Sequence, residues 1–406
     1  MKILMITEYV PYPPDNGIRV KIHNLVNCLS RIGELVCVYL SEKEQGGGIK
    51  TGLSTSIREY EVRTEREKNP VLRYLGHMVQ ICGLRIKGIK EIHEIIEREK
   101  PTVIWLEFGY ICKLIPELRR HGLPIIYGSH NSQFSLDYER WKGGGGVIRK
   151  IKTAPVLPLL YINERVFMKK ADRICCLSRS DMAYYMKIVP QEKVAYMPFV
   201  YDHLGVDNIS PIQEGHPYVC LIGSLRSLQN YQAAVNALEN LWPKILARHR
   251  DLYLYIIGEW PGSGSREYRK IKELTTGAER VVATGRVDNI IPYLKGALVN
   301  MVPLTMGSGV RTKIIESVVC GTAVVSTSIG GQGLPFVNGE SILIADIDDD
   351  FVDKVVLLAE DAARRHLLAD NAYRVFVNEL SVDAGKRAVL EILAGLSVRD
   401  CLGLPG

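Results

Sequence analysis

The feature that most restricts how this chain can fold is an alternation of short apolar runs with helix-spaced patterns, in two separate series. In the first, KILMI (2–6) reads as a buried strand. Apolar residues at Ile18, Ile22, Leu25, Val26, Leu29 and Ile32 then fall at helical spacing, with Gly33 as a stop. LVCVYL (35–40), TVIWL (102–106), PIIYG (124–128) and RICCL (173–177) continue that series. The second begins after Pro198 with YVCLIG (218–223), followed by a helical pattern from about Asn230 to Ala247. LYLYIIG (252–258), RVVATG (280–285), LVNMVP (298–303), AVVST (323–327) and SILIA (341–345) follow, with helical patterns at 351–360 and 383–394. Apolar runs joined by helical crossovers call for mainly parallel sheets covered on both faces. Two series imply two α/β domains, which suits 406 residues, too many for one ordinary core.

Between the series, FVYDHLGVDNISPIQEGHP (199–217) is rich in turn formers and lacks periodicity. The expected organisation is a first domain over 1–198, a linker over 199–217, a second domain over 218–380 and a C-terminal helical segment over 381–406. GGG (46–48) and WKGGGG (141–146) read as loops. The segment 71–90 is apolar and basic with no acidic residue, as fits either a helix on a membrane surface or one packed on the domain.

Residues 1–200 carry 31 Lys and Arg against 21 Asp and Glu, and the remainder 20 against 24. The basic half admits an anionic partner, such as a phospholipid surface or an anionic acceptor; solvated surface charge accounts for it equally well. No nucleic-acid partner is expected, and oligomeric state is not legible. Nine cysteines lack metal-ligand spacing and read as reduced core residues of a cytoplasmic protein. No apolar run has the length of a membrane span, and the N-terminus lacks the features of a signal peptide. The expected location is cytoplasmic, with peripheral attachment to the membrane face left open.

The candidate chemistry lies where apolar runs end in glycine. In GSGVRTKIIESVVCGTAVVST (307–327), the backbone of Gly307, Ser308, Gly309 and Val310 opens a helix, and Arg311 and Lys313 add positive charge. Free N–H groups at a helix start, with two cations, suit a diphosphate; a flexible turn with surface cations is the plainer account. Glu316 shares a helix face with Lys313 and can accept from vicinal ribose hydroxyls, or simply pair with that lysine. GSLRSLQN (223–230) offers Gly223, Ser224 and Arg226 to the same anion, and GRVDNIIPYL (285–294) offers Gly285, Arg286 and Val287 to a base edge. In the first half Gly17 precedes a helix, and His130 and Asn131 follow PIIYG, able to donate to a sugar hydroxyl or phosphate or to serve the loop alone. Glu107 ends its strand facing the ligand side, and Glu164 and Arg165 read as a structural ion pair. There is no GxGxxG after the first strand and no GxxxxGK followed by Ser or Thr. DIDDD (346–350) reads as a solvated turn, so neither a metal nor an organic cofactor is expected.

In their joint order, GSLRSLQN, GRVDNIIPYLKGALVNMVPL and GSGVRTKIIESVVCGTAVVSTSIGGQGL resemble the family-4 retaining glycosyltransferases of the GT-B fold. PYPPDNGIRVKIHNLVNCLS, the His130–Asn131 pair and ADRICCLSRSD (171–181) extend the resemblance over nearly the whole chain. It implies an α/β protein of two Rossmann-like domains with mainly parallel sheets facing across a cleft, the acceptor side N-terminal and the nucleotide sugar C-terminal. It implies a final helix crossing back to the first domain. It also implies transfer of a sugar from a nucleotide-diphosphate donor to a hydroxyl acceptor, with retention and without a metal.

On this resemblance Glu316 binds the nucleotide, Arg226 and Arg311 stabilise the diphosphate during catalysis, and His130 is the active-site histidine. The lysine usual beyond Arg226 has no counterpart because Asn230 occupies its neighbourhood, and Arg311 and Lys313 compensate. The family's first glutamate, eight positions before Glu316, is Ser308 here, which leaves backbone amides of 307–310 for the donor sugar. A UDP sugar is preferred over a GDP sugar, and the acceptor could be a lipid-linked glycan, a polysaccharide intermediate or a small natural product. Two other readings share the architecture. A non-hydrolysing sugar-nucleotide epimerase needs acidic and histidine groups at the sugar. A non-catalytic binding protein predicts loss of phosphate-facing groups.

Overall fold

A computed structural model of the chain describes residues 1–13, 17–41, 57–63, 88–107, 109–129, 134, 138, 141, 154, 157–307 and 309–396. His130, Asn131, Ser308, the glycines 143–146 and residues 71–87 of the basic segment lie outside them. The chain divides into two compact units, Met1–Asp202 together with Val382–Gly406, and His203–Ser381.

The first unit is built on a seven-stranded sheet: β1 (Lys2–Thr7), β2 (Glu34–Ser41), β3 (Arg58–Arg63), β4 (Val103–Glu107), β5 (Ile125–Ser129), β6 (Arg173–Cys176) and β7 (Val194–Tyr196). Their spatial order is β3-β2-β1-β4-β5-β6-β7, every pair parallel. Alternate residues enter opposite cores: Leu4, Ile6, Val36 and Ile104 one, Ile3, Met5, Leu35 and Trp105 the other. Burial on both faces is why these strands are continuously apolar. Helix α1 (Gly17–Ser30) follows β1, α2 (Ile89–Glu99) precedes β4, and α3 (Leu157–Met168) precedes β6. The last helix, α11 (Val382–Ala394), packs on α1 within this unit. A Cβ at Gly385 would meet Val200 and the Cys28 sulfur, so the absence of a side chain sets that approach.

The second unit holds a six-stranded sheet: β8 (Tyr218–Ile222), β9 (Tyr253–Ile257), β10 (Val281–Gly285), β11 (Val299–Val302), β12 (Ala323–Ser326) and β13 (Leu343–Ile344), in the order β10-β9-β8-β11-β12-β13. All pairs are again parallel. Its helices include α4 (Leu228–Asn236), α5 (Trp242–Arg248), α6 (Arg266–Gly277), α7 (Ile291–Gly296), α8 (Thr312–Val319), α9 (Asp349–Glu360) and α10 (Ala362–Glu379). In both sheets the strand order reverses beside the first strand. In open α/β sheets, ligands bind at the carboxyl ends of the strands beside such a reversal.

Three elements depart from the sequence expectation. Strand β3 is a polar edge strand in which only Val62 is fully buried, so it lacked the apolar signal. The single helix expected over 230–247 is interrupted by a π turn at Ala237–Leu241, just before Pro243, whose missing N–H and ring disfavour a regular α-helical path. Helix α10 was not anticipated because alanines form half of its buried stripe of Leu368, Ala369, Ala372 and Phe376.

Candidate functional site

In the second unit, adjacency of β8 and β11 brings together the loops that follow them. Gly223 (φ 133°) continues from β8, and a Cβ there would lie 2.8 Å from Lys313 Nζ and 2.7 Å from Asn230 Nδ2. Gly307 (φ 121°) follows β11, and a Cβ there would meet the Gln229 side-chain oxygen and, at 2.8 Å, Arg311 Nη2. The two glycine-bearing loops and the starts of α4 and α8 thus share one locus. Gly223, Lys313, Arg311 and Gly307, singled out from sequence, all belong to it.

Arg311 stands at the N-cap of α8 in extended conformation. Its side chain is 5 % exposed, and Nη1 donates to the Gly309 carbonyl at 3.1 Å. Burial lowers its proton affinity. Gly309 (φ 83°) has open space where a Cβ would project. Lys313 Nζ donates to Asn230 Oδ1 at 2.7 Å, and Asn230 Nδ2 donates to the Ser224 carbonyl at 3.0 Å. Burial pulls the Lys313 pKa down to about 8 against the opposing pull of Glu316. Burial likewise pushes the Glu316 carboxyl up to about 7 against the charge of Lys313. Lys313 therefore reaches across to α4 instead of pairing with Glu316 along its own helix.

Helix α8 is fastened from beneath. Asn300 of β11, fully buried, donates to Ser317 Oγ at 2.7 Å, and Ser317 Oγ donates to the Lys313 carbonyl at 2.7 Å. These bonds fix the register of the helix that carries Lys313 and Glu316. Arg226 is placed differently from its neighbours: its side chain is 63 % exposed and pairs with Glu259 at 3.2 Å. Gly285 (φ 73°) ends β10, and its carbonyl accepts from Gly258 N at 2.9 Å. Arg286 is exposed, whereas Val287 packs against the cluster around Tyr218 and Ile222.

Sequence reasoning missed Gly258, Glu259 and Gln229. A Cβ at Gly258 would strike the Gly223 carbonyl and lie 3.1 Å from Ser224 N, so the bare backbone lets the β8 loop cross the end of β9. LYLYIIG ends in glycine as YVCLIG does, which was a legible signal.

In the first unit Gly17 begins α1 with open space around it. Glu107 does not face a ligand. It is 1 % exposed, accepts from Lys21 Nζ at 2.6 Å and from Trp105 Nε1 at 2.8 Å, and its carboxylate occupies the space beside Gly128. Glu164 accepts from Phe134 N at 3.0 Å and Tyr184 OH at 2.7 Å, while the Arg165 guanidinium lies 3.5 Å from the centre of the Tyr161 ring; the two therefore have separate packing roles. The acidic run 346–350 caps a helix: Asp348 Oδ1 accepts from Asp350 N at 2.9 Å, and Asp349 pairs with Lys244 at 2.7 Å. Among the described residues, no group of three or more His, Cys, Asp or Glu side chains could hold a metal ion, and no helix is long and apolar enough to cross a membrane.

The profile of the family described as glycosyl transferases group 1 matches residues 216–361, which contain this locus. A 44.6 kDa protein of the cps region of Klebsiella pneumoniae is 20% identical over 387 residues, covering 93% of this chain and 96% of its own. Sucrose-phosphate synthase from Thermosynechococcus elongatus superposes with a TM-score of 0.71 at 15% identity, covering 96% of this chain and 98% of its own. HepE from Anabaena, solved in complex with UDP, gives a TM-score of 0.68 at 15% identity over 98% of this chain and 100% of its own. With these likenesses, two mainly parallel, Rossmann-like units make the fold GT-B-like.

Proposed function

We propose that the chain is a glycosyltransferase that moves a sugar from a nucleotide-diphosphate donor to a hydroxyl acceptor with retention at the anomeric carbon. The observation that carries this reading is the convergence of Gly223, Gly307, Arg311 and Lys313 at the switch point of the second sheet. It offers backbone amides and two cations to one anion, as a diphosphate requires. Glu316 on the same helix, whose carboxylate makes no hydrogen bond or ion pair among the described residues, would accept from the ribose hydroxyls. Gly285, Arg286 and Val287 would border the base, and the amides of 307–310 the donor sugar.

In this scheme Arg311 and Lys313 stabilise the leaving diphosphate as the glycosidic bond breaks, with Arg226 joining when it exchanges Glu259 for the ligand. These cations supply charge compensation without a metal. The UDP and UDP-glucose complexes of HepE support a UDP sugar as the first donor to try. His130 and Asn131, with Gly17, would serve the sugar and acceptor from the first unit. We also propose domain limits of 1–198 and 218–380 around the linker 199–217, with 381–406 returning to the first domain. We further propose a cytoplasmic enzyme, and the basic excess of the first half fits action at a membrane face on a lipid-linked or otherwise anionic acceptor.

The test is a panel of UDP and GDP sugars with detection of released nucleoside diphosphate, followed by anomeric analysis of the product and a repeat in chelator. Release from no donor, with folded protein and a range of hydroxyl acceptors, would remove the proposal. An inverted product or manganese-dependent turnover would remove those parts of it.

A further inference from the structure

Resting on the reading above, we propose that Asn230 is a positioning residue: its neutral amide holds the Lys313 amine over Gly223 as an uncancelled charge for the donor diphosphate. The lysine then serves the β8 loop from the opposite side of the switch point, on α8.

Four observations support this. Asn230 is only 8 % exposed and its amide is oriented at both ends, with Nδ2 on the Ser224 carbonyl and Oδ1 toward Lys313. A lysine ammonium has three donors, and Asn230 engages one of them without carrying a compensating charge. The neighbouring cation Arg226 is instead committed to Glu259. Lys313 makes no ion pair among the described residues, and the charged groups that act on it are Glu316 and Arg311, both from the same segment. A partly buried amine held by a neutral partner retains an unmet demand for an anion. A Cβ at Gly223 would lie 2.8 Å from that amine, so the bare backbone there lets the amine and the loop lie side by side.

The test compares UDP and GDP with uridine and guanosine by calorimetric titration of wild-type protein, Lys313→Met, Asn230→Ala and Asn230→Asp. Thermal melting verifies that each variant is folded. Loss of a charge-assisted contact weakens the diphosphate by about tenfold or more in Lys313→Met, with nucleoside affinity kept within about twofold. Asn230→Ala should follow the same pattern. Asn230→Asp is the discriminating variant. It keeps an oxygen for Lys313 but neutralises the amine, so diphosphate affinity should again fall about tenfold, although a merely structural bond would be preserved. Unchanged diphosphate affinity in folded Asn230→Ala and Asn230→Asp would overturn the inference while leaving the transferase reading intact. Equal loss of nucleoside and diphosphate would also overturn it. Absence of binding of either diphosphate to wild-type protein would overturn both.

Discussion

Lys21 and Glu107 form an ion pair 2.6 Å long, with side chains 8 % and 1 % exposed, where the strand order of the first sheet reverses. The second sheet has a lysine beside the same reversal, but there Lys313 meets the neutral Asn230. One switch point is internally neutralised, and the other keeps its charge. On the proposed function, that difference is why the donor diphosphate binds the second unit. Burial lowers the proton affinity of Lys21, and the facing carboxylate opposes that shift. Removing one partner strands the other in a dry environment. Lys21→Met should therefore cost about 3–5 kcal/mol of unfolding free energy, and adding Glu107→Gln should recover part of it. Denaturant titration of the two singles and the double gives the coupling. Strictly additive losses would mean that the pair contributes only packing.

Gly258 and Gly223 make a second contact that tolerates no side chain. Because a Cβ at 258 would strike the Gly223 carbonyl, Gly258→Ala should displace the β8 loop, with an overpacking cost of about 1–3 kcal/mol. Nucleoside diphosphate affinity should fall with it, since Ser224 N lies against the same atom. Gly262→Ala, where no atom lies within 4 Å, is the matched control. Equal melting temperatures and affinities in both variants would contradict the crossing of these two loops.

Strands β1, β2, β4, β8 and β9 were legible because burial on both faces writes an unbroken apolar run. Strand β3 was not, since an edge strand buries little and REYEVR shows it. In the site, the glycines at 223, 285 and 307 could be read locally, because each ends or follows a strand. The Lys313 partner could not. Spacing along one helix pointed to Glu316, whereas the neighbour that accepts its hydrogen bond, Asn230, is 83 residues away and is brought near by the order β8-β11. Glu107 misled for a related reason. Its position at a strand end was correct, but α1 covers it with Lys21.

On the proposed function, His130 acts on the sugar or acceptor and not on the nucleotide. His130→Ala should lower turnover by about 100-fold or more while nucleoside diphosphate affinity and melting temperature change little, as for an interaction used in the transition state. A proportionate fall in stability, affinity and turnover would assign the histidine to its loop alone.

The pH dependence of donor binding follows from Glu316 and Lys313 together. Burial raises the Glu316 carboxyl to about 7 and lowers the Lys313 amine to about 8 in the free protein. An ionised Glu316 accepts ribose hydroxyls with charge assistance, so affinity should rise as pH increases through about 7. A protonated Lys313 attracts the diphosphate, so affinity should fall as pH increases through about 8. The two limbs bound a narrow optimum, with apparent values that belong to the coupled pair. Stability of the unliganded protein carries the opposite signs. The raised Glu316 value favours folding below the ordinary carboxyl range, a gain lost as pH rises through about 7. The lowered Lys313 value favours folding above the ordinary amine range, a gain lost as pH falls through about 8. Ligand and fold therefore prefer different protonation states, so the donor binds a site that is electrostatically uncomfortable when empty. Titration with an intact UDP sugar, whose diphosphate does not titrate near neutrality, isolates the protein groups. Glu316→Gln should abolish the acidic limb and weaken binding by about 1.5–3 kcal/mol at its optimum. It should also raise the unliganded melting temperature above pH 7, because a partly buried, desolvated carboxylate no longer has to ionise. Lys313→Met should abolish the alkaline limb. A flat profile in wild-type protein, or one unchanged by Glu316→Gln, would show that neither residue titrates against the bound donor.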